Sequence, residues 1–188
     1  MAYAPESGSE RMLASIKKKV KLSKMVKSLK SSVREGINVK INIIIGFPDE
    51  THKDILMTLW QLIKFSYAGA HDISISVFAP YPGSELYKDL IKKGTINHDD
   101  EYWQKLACLD LSFTKSYCEN ISSKSLLFYN WLGIILFYFS NYIFRPTRFF
   151  VTLKNLITNR HESKGEWALA QIIKRISFAF KSSKQSAN

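Results

Sequence analysis

Three turns in this 188-residue chain gather residue types suited to small polar ligands: "APESGSE" (4–10), "IIGFPDET" (44–51) and "APYPGSELY" (79–87). In the first, the Glu6 carboxylate can accept from ligand hydroxyls or an ammonium group, and the Ser7 and Ser9 hydroxyls can donate or accept. Gly8 between them would let backbone approach a ligand closely. Ser9 is equally suited to N-cap a following helix, and both uses stay open. In the third turn Pro80 and Pro82 fix φ while Gly83 releases it. Phe78 and Tyr81 have the rings to stack on a base, although such aromatics are more often core. No metal centre is suggested. Cys108 and Cys118 are separated by nine intervening residues, and His52, His71, His98 and His161 are scattered. With two cysteines and no secretory signal, a reducing cytoplasm is the expected location.

The elements that must position these turns alternate. Residues 9–34 carry two apolar stripes out of phase, predicting a helix broken near Lys19–Ser23, with Ser23 as the second N-cap and Gly36 as the stop. "VKINIIIG" predicts a strand, "THKDILMTLWQLIKF" a helix opened by a Thr51/Asp54 capping box, and "DISISVF" a further strand. A helix follows "APYPGSELY". This order predicts parallel β/α units, with each turn at a strand's carboxyl end, where such folds bind ligands. Val39, Ile41, Ile43 and Ile45 fit one covered face of the first strand, and Ile73, Ile75 and Val77 that of the second. The opposite sets (Lys40, Asn42, Ile44, Gly46; Ser74, Ser76, Phe78) are more polar, as in a barrel or trough around a ligand, or an edge facing water.

Taken in order and spacing, the three turns resemble the second half of the radical S-adenosylmethionine (SAM) enzyme barrel, above all its cobalamin-binding branch, over residues 2–94. The resemblance implies an α/β fold: the carboxyl-terminal half of a partial (β/α)6 TIM-like barrel in residues 1–98, then an α-helical extension in 99–188. It implies that Glu6, Ser7 and Ser9 contact the ribose and methionine portions of SAM. In the family's GxIxGxxE-like pattern, Asn42 replaces the first glycine, Ile44 and Gly46 match, and Asp49–Glu50 fall at the acidic end. Ile44 would then face the adenine, Gly46 would keep the rim open, and Glu50 would brace the helix. Asn42 departs from the pattern and puts an amide in the lumen. Adenine would also meet the backbone near Phe78–Ala79.

The family holds a [4Fe–4S] cluster on CxxxCxxC after its first strand and uses it to cleave SAM to a 5′-deoxyadenosyl radical. That motif is not in this sequence. The expectation is therefore a fragment of an enzyme whose missing amino-terminal half carries the cluster and any cobalamin domain. The present residues would position SAM and include no catalytic group. The alternative is a catalytically inactive module binding a membrane or a protein partner through a basic helical tail.

The tail and the charge bear on that alternative. The net charge is +11, concentrated in residues 11–40 (ten Lys/Arg, one acid) and 145–188 (nine Lys/Arg, two acids). Basic ends suit an anionic membrane surface or simply solvated helix faces. Nucleic acid has only the charge in its favour, with no RNP, helix-turn-helix or zinc-finger pattern. Residues 126–144 run without a charge, about 28 Å as a helix, interrupted by Asn130, Ser140 and Asn141. Three readings stay open: a membrane span, a peripheral helix at the inner face of the membrane, or a helix buried against the barrel. Amphipathic helices with basic faces are expected over 147–157 and 167–180.

Overall fold

The computed structural model describes residues 1–97, 102–103, 106, 115–158, 160, 165–167, 170–171 and 173. Cys108, His98, His161 and most of the expected 167–180 helix lie outside them. Three parallel strands, β1 (Ala2–Glu6), β2 (Lys40–Ile45) and β3 (Asp72–Val77), form a sheet in the order β1-β2-β3. Helices α1 (Glu10–Ser15) and α2 (Leu22–Arg34) join β1 to β2, α3 (His52–Ala68) joins β2 to β3, and α4 (Glu85–Lys92) follows. Two further helices, α5 (Ser123–Phe144) and α6 (Pro146–Ile157), come from the apolar tail.

The alternation in β2 sets the layers. Ile41, Ile43 and Ile45 are buried, packed with Leu29 of α2, Leu62 and Phe65 of α3, and Leu126 and Phe137 of α5. Each such side chain contributes about 2 kcal/mol on leaving water. The intervening Lys40, Asn42 and Ile44 are only half-buried. A second apolar cluster gathers Met12, Phe47, Phe78, Leu90 and Tyr102.

Local signals fix the ends of the helices. Thr51 and Asp54 make a reciprocal capping box on α3, and Gly69 ends that helix with φ 106°. The expected break between the first two helices is present, but Ser23 does not cap α2. Lys21 holds the N-cap position with no side-chain bond, and Leu22, which is buried, takes the first helical place. Burial of Leu22 in the core, joined to a left-handed Lys17 (φ 56°), sets the N-cap two residues before the serine.

Two polar residues inside the apolar α5 have partners on β3 and in the loop before it. Asn130 Nδ2 donates to the Ile75 carbonyl of the edge strand β3 (3.0 Å), and Asn141 Nδ2 to the Ala70 carbonyl (2.7 Å). From the start of α6, Arg148 donates to the Ala70 and Gly69 carbonyls, and burial lowers its pKa to about 10. Between the two amides, Gly133 lets the helix close on the sheet, since a Cβ there would stand 2.6 Å from Ile75 Cδ1. These bonds answer backbone acceptors that β3 and the end of α3 would otherwise leave bare.

The loop after β2 is folded around Glu50, whose Oε2 accepts from the Gly46 and Phe47 amides. The Glu50 carbonyl in turn accepts from Cys118 Sγ and Asn120 Nδ2. Gly46, with φ 86°, has Leu126 of α5 over it, 2.8 Å from where a Cβ would stand, so it meets apolar packing there. Glu50 is fully buried and its Oε1 has no partner. Burial raises its pKa to about 7 against the lowering by the two amides.

Two outcomes are expected. Asn130→Leu leaves the Ile75 carbonyl unanswered and costs about 1–3 kcal/mol in urea unfolding. An unchanged midpoint would show that the amide does not hold α5 to the sheet. For Glu50, the folded pKa of about 7 exceeds the ordinary 4.5. Its contribution is therefore fully present below about pH 4.5 and lost as pH rises through 7, by an amount on the order of 3 kcal/mol. Glu50→Gln keeps an acceptor for both amides and removes that loss. The difference between wild-type and E50Q stability, followed from pH 4.5 to 8, isolates it from opposing groups such as His71, whose pKa burial lowers to about 4.

Candidate functional site

The unbroken register between β2 and β3 sets Lys40 beside Asp72, Asn42 beside Ser74, and Ile44 beside Ser76. Paired residues of parallel strands share a face, so these six lie together opposite the helices that cover Ile41, Ile43 and Ile45. At one end of the row Lys40 Nζ and Asp72 Oδ2 approach to 3.9 Å. In the middle, Asn42 is half-buried, and its amide makes no hydrogen bond among the described residues. Ser74 is also half-buried and Ser76 exposed. Ile44 meets the second cluster at the carboxyl ends of the strands. The result is a face with an amide and hydroxyls available and an apolar border, able to hydrogen-bond a polar ligand and shield one side of a flat ring.

Glu6 stands at the carboxyl end of β1 in left-handed backbone (φ 71°), which non-glycine residues adopt only when held there. A register irregularity between Tyr3 and Glu6 accompanies it. The Glu6 carboxylate accepts from Lys18 Nζ at 3.0 Å. A ligand reaching this end of the strand therefore meets an ion pair rather than a lone carboxylate.

Ser7 and Ser9 face the other way. Both are fully buried against α3. Ser7 Oγ lies 3.2 Å from Thr58 Oγ1 and accepts from the Ser9 amide, while Ser9 Oγ donates to Asp54 Oδ1 at 2.6 Å and caps α1. Gly8 likewise allows a close approach to α3 rather than to a ligand. A Cβ there would fall 2.5 Å from Thr58 Cα, and the Gly8 amide donates to Thr58 Oγ1. Phe78 is buried 5.2 Å from the Phe47 ring, and Ala79 beside it is half-buried. Of the eight residues suggested by sequence, Asn42 and Ile44 thus share the open face. Glu6 and Ala79 lie at strand ends, and Ser7, Ser9, Gly46 and Phe78 are occupied by packing.

Asp54 is the residue the sequence undervalued. Beyond the capping box, it accepts from Arg11 Nε and Nη2 as well as from Ser9. Burial alone would raise its pKa, but hydrogen bonds from Arg11, Ser9 and Thr51 hold it well below the usual carboxylate range. The signal lay just past the turn: Arg11 follows Ser9 by two residues and puts a fork of donors beside that hydroxyl.

No protein-family model matches the chain. An uncharacterized methyltransferase of Pyrococcus horikoshii is 32% identical over 114 residues, covering 57% of this chain and 22% of that protein. A protein of Methanocaldococcus jannaschii, provisionally named a methylthiotransferase, is 31% identical over 84 residues, covering 45% of this chain and 18% of its own length. The chain spans about a fifth of the length of these relatives and is similar to proteins named for transferring methyl and methylthio groups.

Proposed function

We propose that this chain is the carboxyl-terminal part of a radical SAM enzyme, its three strands standing as the fourth to sixth of a partial (β/α)6 barrel. The observation that carries this reading is the parallel β1-β2-β3 order with a helix after each strand, which leaves Ile44 and the Asn42 amide on the face away from the covering helices. Relatives named as a methyltransferase and a methylthiotransferase support it, because SAM is the common methyl donor for such transfers.

The described residues suit the two implied groups differently. SAM fits the open face: the Asn42 amide would hydrogen-bond its polar edge and Ile44 would cover an apolar side. Glu6 with Lys18, at the end of β1, would present both signs of charge to an amino-acid portion. SAM supplies a transferable methyl group or a radical precursor when bound, and these residues would orient it and exclude water from its ring. A [4Fe–4S] cluster does not fit them. Among the described residues no three His, Cys, Asp or Glu side chains could hold a metal, and the Cys118 thiol is engaged with the Glu50 carbonyl. The cluster, and any cobalamin, would belong to an amino-terminal half of the enzyme. That half would extend the sheet at β1, which pairs on one side with β2 alone among the described residues.

Two measurements test the reading. The genomic frame upstream of Met1 should encode CxxxCxxC, and an in-frame stop with a separate ribosome site immediately upstream would overturn the proposal. In the whole enzyme, Asn42→Leu should weaken SAM binding about tenfold in calorimetric titration. Ser7→Ala should lower the melting temperature and leave SAM affinity unchanged, and the reverse pattern would move the site to the other side of β1.

A further inference from the structure

Helices α2, α3 and α5, which pack on the sheet, and α6, which packs on α5, share an uncommon surface. The only carboxylate within α2, α3, α5 and α6 is Asp54, which is buried, whereas Lys53, Lys64, Lys124 and Lys154 are exposed. Among these cations lie large apolar side chains. On α5, Phe128, Trp131, Ile135 and Phe139 are 56–63% exposed at the spacing of one helical stripe. On α6 the amphipathic order is reversed: Asn155 is buried against Glu166, while Phe150 and Ile157 are the most exposed. Ring contacts join neighbouring helices near the end of α5. Lys30 of α2 sits over the Tyr67 ring of α3, Tyr67 meets Phe144 of α5, and Tyr142 meets Phe149 of α6.

We infer that this outer layer is a docking surface for an anionic lipid bilayer, with α5 and α6 lying in the interface. Charge complementarity selects the occupant: exposed aromatics on helices that carry exposed lysines and no exposed acid match a surface of acidic headgroups over acyl chains. A second copy of the chain fits poorly, since a two-fold contact would set this cationic face against itself. The missing strands of a longer protein would extend the sheet from β1, at the opposite end from β3 and α5. Spanning is opposed by the inner side of α5. This helix alone among the described residues is long and apolar enough to cross a bilayer, yet Asn130 and Asn141 bind it to β3 and to the loop before it. Lying flat, its stripe meets lipid over most of its length of about 33 Å.

The test is flotation of the chain with phosphatidylcholine vesicles, with and without phosphatidylglycerol, at low salt and at about 0.5 M salt. The expected result is binding to the anionic vesicles, weakened about tenfold by salt, with a blue shift of tryptophan emission. Trp131→Glu with Phe139→Glu should abolish binding without altering the circular dichroism melt, as both side chains are exposed; Lys92→Glu on α4 should leave it intact. Three outcomes would each overturn the inference: no binding to either vesicle; equal, salt-resistant binding that survives alkaline extraction, which marks a span; or a dimer in sedimentation that the double variant dissolves.

Discussion

A single buried carboxylate ties the chain leaving β1 to the start of α3. Asp54 opens α3, and burial of its charge is tolerable only because donors converge on it from three segments. Thr51 gives a backbone amide and a hydroxyl, Ser9 a hydroxyl, and Arg11 its planar fork. Ser9 lies in the turn after β1 and Arg11 in α1 just beyond it, so the charge of α3 ties down the chain leaving the neighbouring strand. The tie has a geometric consequence. With Ser7 and Ser9 drawn against α3, the chain leaves β1 through a left-handed Glu6 and points that one side chain toward Lys18. Polar groups that compose as a ligand site in sequence divide between structural duty on one side of β1 and availability on the other.

That division explains which parts of the fold were legible. Alternation in "VKINIII" and "DISIS" fixed the covered and open faces of two strands, because a strand's period leaves each residue only two directions. The Thr51/Asp54 pair fixed the start of α3 for the same local reason. Serine is different. A hydroxyl that caps a helix, binds a carboxylate or meets a ligand has the same sequence signature, and packing chooses among these uses. Ser9 went to α3, and Ser23 lost its place as a cap because Leu22 was needed in the core. The amides of the tail were equally ambiguous. Asn130 and Asn141 look like flaws in an apolar helix until the strand edge and helix end whose carbonyls they answer are known.

The same two asparagines connect the architecture of the sheet to the surface it presents. An edge strand leaves outward backbone acceptors, and a helix laid along it must bring donors on its inner side. A helix so bound cannot also turn those donors toward lipid, where each would be left without a partner. Its remaining freedom is the outer side, and there the sequence places aromatic and branched residues instead of the charges usual on a solvated helix. Inner amides and outer rings together suit the docking surface proposed above, with protein on one side of the helix and lipid on the other.

The arrangement also orders the layers by depth. The open face bearing Asn42 lies on one side of the sheet, and the lysine- and aromatic-rich helices lie on the other. With those helices resting on a bilayer, the open face stands away from the lipid by the sheet and at least one helix diameter, about 10 Å. A substrate reaching that face from the membrane must therefore project a reactive portion past the protein's rim, or come from the aqueous side. Membrane docking by this surface would concentrate the protein near its substrate rather than extract an acyl chain into the site. On the proposed reading, an open face so placed would suit polar molecules or exposed headgroups.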